Sequence, residues 1–477
     1  MANSVNEPTL IERGNATCII GAGPGGLAAA RALKSKGLPY DHFERHSDVG
    51  GIWDIENPGS PMYESAHFIS SRDLSSFLGF PMPAHYADYP SSRQILEYVR
   101  SFAEAYGLYE NIAFRTSVEG LKKDAAGHWL VQFSDGSIRR YVAVICSTGS
   151  QWDPSMPAFQ GNFTGQLRHS VSYKSAQEFR GKRVLIVGAG NSGADIACDA
   201  ASNANKAFIS MRRGYYFVPK HMFGVPADVI SEKGPHLPMW LARPVFGAIL
   251  RIFNGDLTRL GLPKPDHRLF DSHPLLNSQL LHHLQHGNIA VKPDISHFDG
   301  DAVVFKDGSR EYVDLVLCAT GYKTTVPFAA EYFTLSGGTR PDLYLSIFSR
   351  EHRNLFGTGF LETNSAAYKF FDTQAFLVGS YLQAQQRGHA SAAVFDQLIQ
   401  NDRPDLTGGL RMVGSGRHET YVDAHALRAY LTKVRKRIGW ADFNQNTYDE
   451  LRKIVSTARA ARLASVSRES MTTLNPA

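Results

Sequence analysis

Short apolar runs alternate with Ala-rich amphipathic stretches at two places in the chain. Residues 16–20 (ATCII) are continuously apolar, residues 27–37 (LAAARALKSKG) carry a helical pattern closed by Gly37, and residues 40–44 (YDHFE) return to a strand ending at Glu44. A buried run, a helix and a second buried run predict a β-α-β unit with parallel strands. The order repeats over residues 184–187 (VLIV), 194–204 (ADIACDAASNA) and 207–213 (AFISMRR). Between the two units a helix is predicted over 91–108, with Ser91 or Ser92 as its N-cap, and strands over 128–133 and 141–149. Residues 214–290 are rich in Pro, His and aromatics, and 313–328 (VDLVLCATGYKTTVPF) return to a buried strand and a turn. The last ten residues, RESMTTLNPA, read as a disordered tail.

Each unit turns from strand to helix through glycines. The first turn is GAGPGG, with Gly21, Gly23, Pro24, Gly25 and Gly26. The first glycine permits the tight turn, the second lets backbone approach a pyrophosphate, and the third permits close helix–strand packing. The helix N-terminus then supplies free N–H groups to the phosphates. Glu44 stands at the end of the second strand, where a carboxylate binds both ribose hydroxyls, so this turn suits FAD or NAD. The second turn is GAGNSG, with Gly188, Gly190, Asn191, Ser192 and Gly193. Its second strand ends in Arg212-Arg213 with no acid, which favours a 2′-phosphate and hence NADPH over NADH. The plainer alternative makes both arginines solvated surface charges. A flavin and a nicotinamide together describe a flavin-dependent oxidoreductase, and the lack of a CxxC pair removes the dithiol reductases.

Length and composition fit this picture. The 477 residues exceed what one core usually supports, so two domains are expected. The predicted fold is α/β, with two Rossmann-like dinucleotide-binding domains. An FAD domain over 1–172 and 316–477 receives a smaller NADPH domain over 173–315, which carries an apolar insert at about 214–290. A net charge of +5 is small for this length, and with no RNA motif or zinc-finger spacing no nucleic-acid partner is expected. Cys18, Cys146 and Cys318 sit in apolar strand-like runs and Cys198 in the helical pattern ADIACDA, none with metal or disulfide spacing, so reduced buried thiols, no metal site and a cytoplasmic setting are expected. No transmembrane segment is predicted. The stretch 235–255 (PHLPMWLARPVFGAILRIFNG) is expected to be a buried helix over the active site; a substrate tunnel, a membrane contact and a dimer surface are the alternatives.

Residues 163–175 read FTGQLRHSVSYKS, and Phe163, Gly165, His169 and Tyr173 stand at FxGxxxHxxxY spacing. Glu44 is followed after five residues by Gly50, Gly51, Ile52 and Trp53, and Ala319, Thr320, Gly321 and Tyr322 form an Ala-Thr-Gly-Tyr. On these motifs the chain resembles the flavin-containing monooxygenases of the class B flavoprotein family. Tyr173-Lys174 stands where the related Baeyer–Villiger signature has Trp followed by Pro or Asp. A DTQA stretch at 372–375 resembles a later family element and brings in Gln374. Most members carry Asn in a Tyr-x-Ser-x-x-Thr-Asn stretch; aligned on MYESAHFISS, Ile69 takes that place and His67 stands two residues earlier. That departure resembles the subclass called type II.

The resemblance implies FAD, NADPH (with NADH accepted in the subclass) and O2 as co-substrate. One oxygen atom passes from a C4a-(hydro)peroxyflavin into a ketone (Baeyer–Villiger) or a soft heteroatom, a sulfide or an amine. His67 and Ile69 are the candidate catalytic positions, with a His satisfied by loop backbone as the plainer reading of His67. The FAD site is expected to include Arg45, Gly51, Ile52, Trp53 and Gln374 beside the first turn and Glu44. The NADP site is expected to include Ala319, Thr320 and Gly321. Lys174 reads equally as a nicotinamide contact or a surface charge. Phe163, Gly165, His169 and Tyr173 are read as a linker that orders the two domains, and Trp53 and Tyr63 as packing near the flavin ring. Two other readings stand beside the monooxygenase: an uncoupled NADPH oxidase releasing hydrogen peroxide, and a non-enzymatic flavoprotein. A small-molecule substrate and a homodimer complete the expectations.

Overall fold

The computed structural model describes residues 10–234, 238–333, 343–410 and 421–472. Its first large sheet is ordered Leu343–Tyr344, Phe348–Ser349, Leu355–Gly357, Ala143–Cys146, Thr17–Ile20, Tyr40–Phe43 and Ile112–Ala113. The last five of these strands run parallel. Thr17–Ile20 is buried along its whole length, which is why ATCII reads as an unbroken apolar run. Helix Pro24–Ser35 follows it and packs against the 20-residue helix Ala367–Gln386. Helix Ser92–Ala105 starts at Ser91, whose side chain accepts from the Gln94 N–H while the Gln94 side chain returns to the Ser91 backbone. That reciprocal pair decides between the two expected caps.

The second sheet is ordered Gln166–His169, Leu315–Cys318, Arg183–Val187, Lys206–Ser210 and Ile289–Lys292, and every pairing is parallel. The fold is therefore α/β with two Rossmann-like units. The seams expected at 172/173 and 315/316 fall just after the strand Gln166–His169 and within Leu315–Cys318. Each unit also carries a smaller sheet of four strands. One holds Leu10–Glu12, Ile138–Tyr141, Trp129–Phe133 and Val118–Lys123; the other holds Gln160–Phe163, Ile295–Gly300, Ala302–Phe305 and Arg310–Tyr312. All four cysteines are free and buried.

Two expectations are corrected. Of the 235–255 stretch, residues 238–255 are described, and Met239–Asn254 form a helix that is not buried. Only Ala242 and Leu250 are buried on it, while Trp240 is 76% and Ile252 82% exposed. Met239, Leu241, Phe246 and Ile249 are half-buried, with Phe246 edge-on to Phe270 at 5.8 Å, so one face is partly covered while Trp240, Val245, Ile252 and Phe253 stay open. At the C-terminus, helix Asp449–Thr472 continues through the first five residues of the expected disordered tail. Residues 473–477 lie outside the described residues.

Candidate dinucleotide sites and the segment between them

The two glycine turns have the same geometry. Gly21 and Gly188 have φ of +100° and +99°, a region that L side chains avoid. A Cβ on Gly26 would lie 1.9 Å from the Gly21 carbonyl oxygen, and one on Gly193 would lie 2.0 Å from that of Gly188. Gly23 and Gly190 are the N-caps of their helices, with φ/ψ of −74°/−178° and −69°/−178°. Neither helix has a side-chain cap or an acid in its first turn, although Pro24, Gly25, Asn191 and Ser192 open them. Uncapped N–H groups and the positive end of the dipole suit a bound phosphate. Nothing lies within 4 Å of where a Gly190 Cβ would stand, whereas Gly51 covers Gly23 in the first unit.

Glu44 is buried, and its carboxylate accepts from the Ala22 N–H at 2.6 Å and the His46 N–H at 2.8 Å. Each oxygen keeps a second lone pair, so the group holds the turn and can still accept from ribose hydroxyls. Ile52 and Trp53 continue the short helix from Gly51, and Trp53 meets Phe68 edge-on with ring centroids 5.0 Å apart. The Arg45 guanidinium stacks 4.4 Å from the Trp152 ring. Gln374 is buried in helix Ala367–Gln386 and its Nε2 donates to the Leu345 carbonyl at 3.0 Å. Half of the amide is therefore committed to the protein, and the buried Oε1 has no protein partner. The orphaned buried acceptor of Gln374, the uncapped glycine turn and the Glu44 carboxylate with spare lone pairs are each suited to a flavin nucleotide in the first unit.

At the second strand end Met211 is buried, Arg212 is exposed and Arg213 lies 5.7 Å from the Tyr215 ring. Neither arginine has an ion pair among the described residues; Arg212 is exposed, whereas Arg213 is half-buried against Tyr215 and lies close enough to Asp266 to add to the His267 hydrogen bond in lowering that carboxyl's pKa. Thr320 Oγ1 donates to the Ser155 carbonyl at 2.7 Å, and the Ala319 carbonyl closes on Gly188. The 320 hydroxyl thus fixes a loop rather than standing free for the nucleotide.

The FxGxxxHxxxY residues each have a structural reason. The Phe163 ring packs on Phe298 at 4.9 Å and folds over Gly165, where a Cβ would come 2.6 Å from that ring and 2.8 Å from the Asp314 carbonyl. His169 Nδ1 accepts from the Val171 N–H at 3.1 Å, so Nε2 carries the proton and donates to the Gly321 carbonyl at 3.0 Å. Burial pushes its pKa down and keeps the ring neutral. The Tyr173 hydroxyl donates to Asp199 at 2.8 Å. Lys174 Nζ donates to the Ser60 and Met62 carbonyls at 2.7 and 3.1 Å. Two of its three donors are thus turned onto the 60–62 backbone, which it clamps.

That clamp leads to the candidate catalytic segment. His67 and Ile69 are both exposed, Ile69 by 47%, and Phe68 between them is buried. They therefore share one side of an extended stretch, which pairs at His67 with Ser91. The His67 Nδ1–H donates to the Ser65 carbonyl at 2.8 Å, leaving Nε2 toward solvent. Tyr63 is buried, but its hydroxyl points away from the first unit; it donates to Asp195 at 3.3 Å and meets the Ser192 hydroxyl. Asp195 also accepts from Asn277 Nδ2 at 2.7 Å, and burial raises its pKa. Ser65 Oγ donates to Asp199. Sequence reading missed Asp195 and Asp199, although two acids four residues apart in the apolar ADIACDA helix mark one polar stripe.

Among the described residues no cluster could hold a metal ion, and no helix is long and apolar enough to cross a membrane. The chain is 35% identical over 335 residues to flavin-containing monooxygenase 5 of Homo sapiens, covering 65% of this chain and 62% of that protein. It thus spans less than two thirds of that relative's length. Among solved structures, a flavin-containing monooxygenase from Stenotrophomonas maltophilia superposes with a TM-score of 0.62 at 21% identity, covering 78% of this chain and 100% of that one. Cyclohexanone monooxygenase bound to cyclohexanone gives 0.69 at 17% identity, over 90% and 98%. Both carry the same two-unit fold. Residues 14–402 match the family model described as flavin-binding monooxygenase-like, so the paired turns and the segment that joins them are those of a chain that belongs to this family.

Proposed function

We propose that the chain is an NAD(P)H- and FAD-dependent monooxygenase that inserts one oxygen atom of O2 into a ketone or a soft heteroatom, sulfur or nitrogen. The observation that carries this reading is the pair of superimposable uncapped glycine turns with opposite strand-end charge, Glu44 in one unit and Arg212-Arg213 in the other. FAD belongs at the first turn and NADPH at the second, with the two held in one frame by His169 and Tyr173.

The first glycine turn, Glu44 and Gln374 would hold a flavin, which when bound would supply hydride acceptance from the nicotinamide and electron delivery to O2. The chain's own residues bind, orient and shield. Glu44 accepts from the ribose hydroxyls and repels a 2′-phosphate; Arg212 attracts one. Trp53, Phe68 and Tyr368 form a contiguous aromatic wall under the 67–69 stretch, which excludes water from that side. The His67 Nδ1–H is fixed by the Ser65 carbonyl, so Nε2 is the ring atom left to meet a bound substrate or cofactor.

Ile69 supports a second reading. An exposed aliphatic side chain stands where most family members place an amide, so an uncoupled NADPH oxidase releasing hydrogen peroxide is the competing outcome. One experiment separates the readings. The FAD-loaded protein is reduced with NADPH, mixed with O2, and assayed for oxygenated product and hydrogen peroxide with a cyclic ketone or an aryl methyl sulfide. Product in proportion to NADPH consumed supports the monooxygenase. Stoichiometric peroxide without product leaves the oxidase. No reduction by either nicotinamide leaves a non-enzymatic flavoprotein.

A further inference from the structure

Helix Asn191–Asn203 starts at the second glycine turn and carries Asp195 and Asp199 one turn apart on the same face. Neither carboxylate has a salt bridge among the described residues. Both are instead held by donors from outside their helix. Asp199 Oδ2 accepts from Ser65 Oγ of the candidate catalytic segment and from the Tyr173 hydroxyl of the FxGxxxHxxxY motif. Asp195 accepts from Tyr63 of the same segment and from Asn277. The Tyr173 ring lies 5.5 Å from Tyr63 and stacks on Phe179 at 4.9 Å, so its hydroxyl is fixed in place.

The segment between these anchors and the candidate catalytic residues is short. His67 is two residues beyond Ser65 and its ring is bonded to the Ser65 carbonyl. Along the helix, Asp199 lies about 9 Å from Gly193 at the usual rise per residue. A rigid helix carries a displacement of its first turn to its third without needing a further hinge.

We infer that Asp199 is a positioning residue: through Ser65 and Tyr173 it lets the nucleotide-binding helix of the second unit set the place of the 63–69 segment, so that a dinucleotide phosphate held at the Gly188–Gly193 turn is felt at His67. This rests on the reading of that turn as the nicotinamide site. It gives the last residue of the FxGxxxHxxxY motif a task, since Tyr173 is the second donor to the same oxygen. Asp195 holds Tyr63 in parallel.

The test is amide hydrogen exchange of the full-length, FAD-loaded protein with and without NADP⁺. In the wild type, NADP⁺ should slow exchange both at the Gly188–Gly193 turn and over residues 63–69. Asp199→Ala should keep the first effect and lose the second by about tenfold, the scale of one lost charge-assisted hydrogen bond. Asp199→Asn keeps an acceptor oxygen and should restore most of it. The Ser65→Ala/Tyr173→Phe double variant leaves the helix intact and should reproduce Asp199→Ala, which guards against a folding defect in the latter. The hydrogen peroxide released per NADPH should rise in the same order. Equal protection of 63–69 in Asp199→Ala and wild type overturns the inference, as does a wild type whose turn is protected while 63–69 is not. If the wild-type turn itself is unaffected by NADP⁺, the nicotinamide reading falls and takes the inference with it.

Discussion

Arg31 and Asp372 form an ion pair in which neither side chain has any solvent exposure. Arg31 lies on the helix that follows the first glycine turn, and Asp372 on the helix Ala367–Gln386, so the pair ties the turn to the far end of the sequence. The faces of Tyr448, Phe102 and Tyr106 surround the guanidinium at 3.9, 4.6 and 4.8 Å. The second Asp372 oxygen accepts from the Leu78 N–H at 2.6 Å, and Arg31 Nη1 donates to the Leu78 carbonyl at 3.1 Å. Removing one partner strands a buried charge, so Asp372→Leu should cost about 3–5 kcal/mol in denaturant unfolding of the FAD-loaded protein. The Arg31→Met/Asp372→Leu double variant should recover a large part of that loss. A single variant within about 0.5 kcal/mol of wild type, the range of an ordinary surface change, would show that the pair is not held as described.

Arg212 has no ion pair among the described residues, and the proposed NADPH reading puts the 2′-phosphate at its strand end. Arg212→Ala should raise the Kd for NADPH by about tenfold or more, the scale of one charge-assisted hydrogen bond, and leave the Kd for NADH nearly unchanged. Titration calorimetry with both nucleotides measures the difference. Equal weakening of the two would remove Arg212 from that role.

The two units were readable from the sequence because their signals are local. A fully buried parallel strand makes an unbroken apolar run, and the turn after it needs glycine at Gly21 and Gly188 for backbone reasons alone. The FxG spacing is local too, since the Phe163 ring occupies the space that a Gly165 side chain would fill. What escaped was settled by distant partners. Ser65 and Asp199 are 134 residues apart, and Lys174 reaches back 114 residues to Ser60. The apolar pattern of 239–254 gave a helix correctly, but periodicity cannot say whether a neighbour covers it.

His42 is buried with Nε2 against the Gly21 carbonyl at 2.9 Å and Nδ1 without a partner. Burial lowers its pKa to about 4. The ring is therefore neutral in the folded chain, while the unfolded chain binds a proton below about 6.5. In that window the unfolded state holds more protons, so stability rises with pH, by at most about 1.4 kcal/mol per unit from this one group. It is fully present above about 6.5 and is lost as pH falls toward 4. Unfolding midpoints measured from pH 7 to pH 5 should show this slope in the wild type and a shallower one in His42→Leu. Parallel slopes would mean that His42 is already charged in the folded protein.

His67 and Ile69 share the exposed side of their stretch, with Phe68 turned inward between them. If His67 Nε2 handles the proton that decides whether oxygen is transferred or lost, its removal should change the partition of electrons more than their supply. His67→Leu should therefore raise the hydrogen peroxide released per NADPH in the presence of a ketone or sulfide, while the rate of flavin reduction by NADPH changes less than about threefold, under about 0.7 kcal/mol of barrier. Ile69→Asn should act in the opposite direction, since an amide on the same side adds a fixed donor next to the same space. The pair of variants is read by peroxide and product yields at several pH values. An unchanged peroxide share in His67→Leu would reduce His67 to a loop residue satisfied by the Ser65 carbonyl.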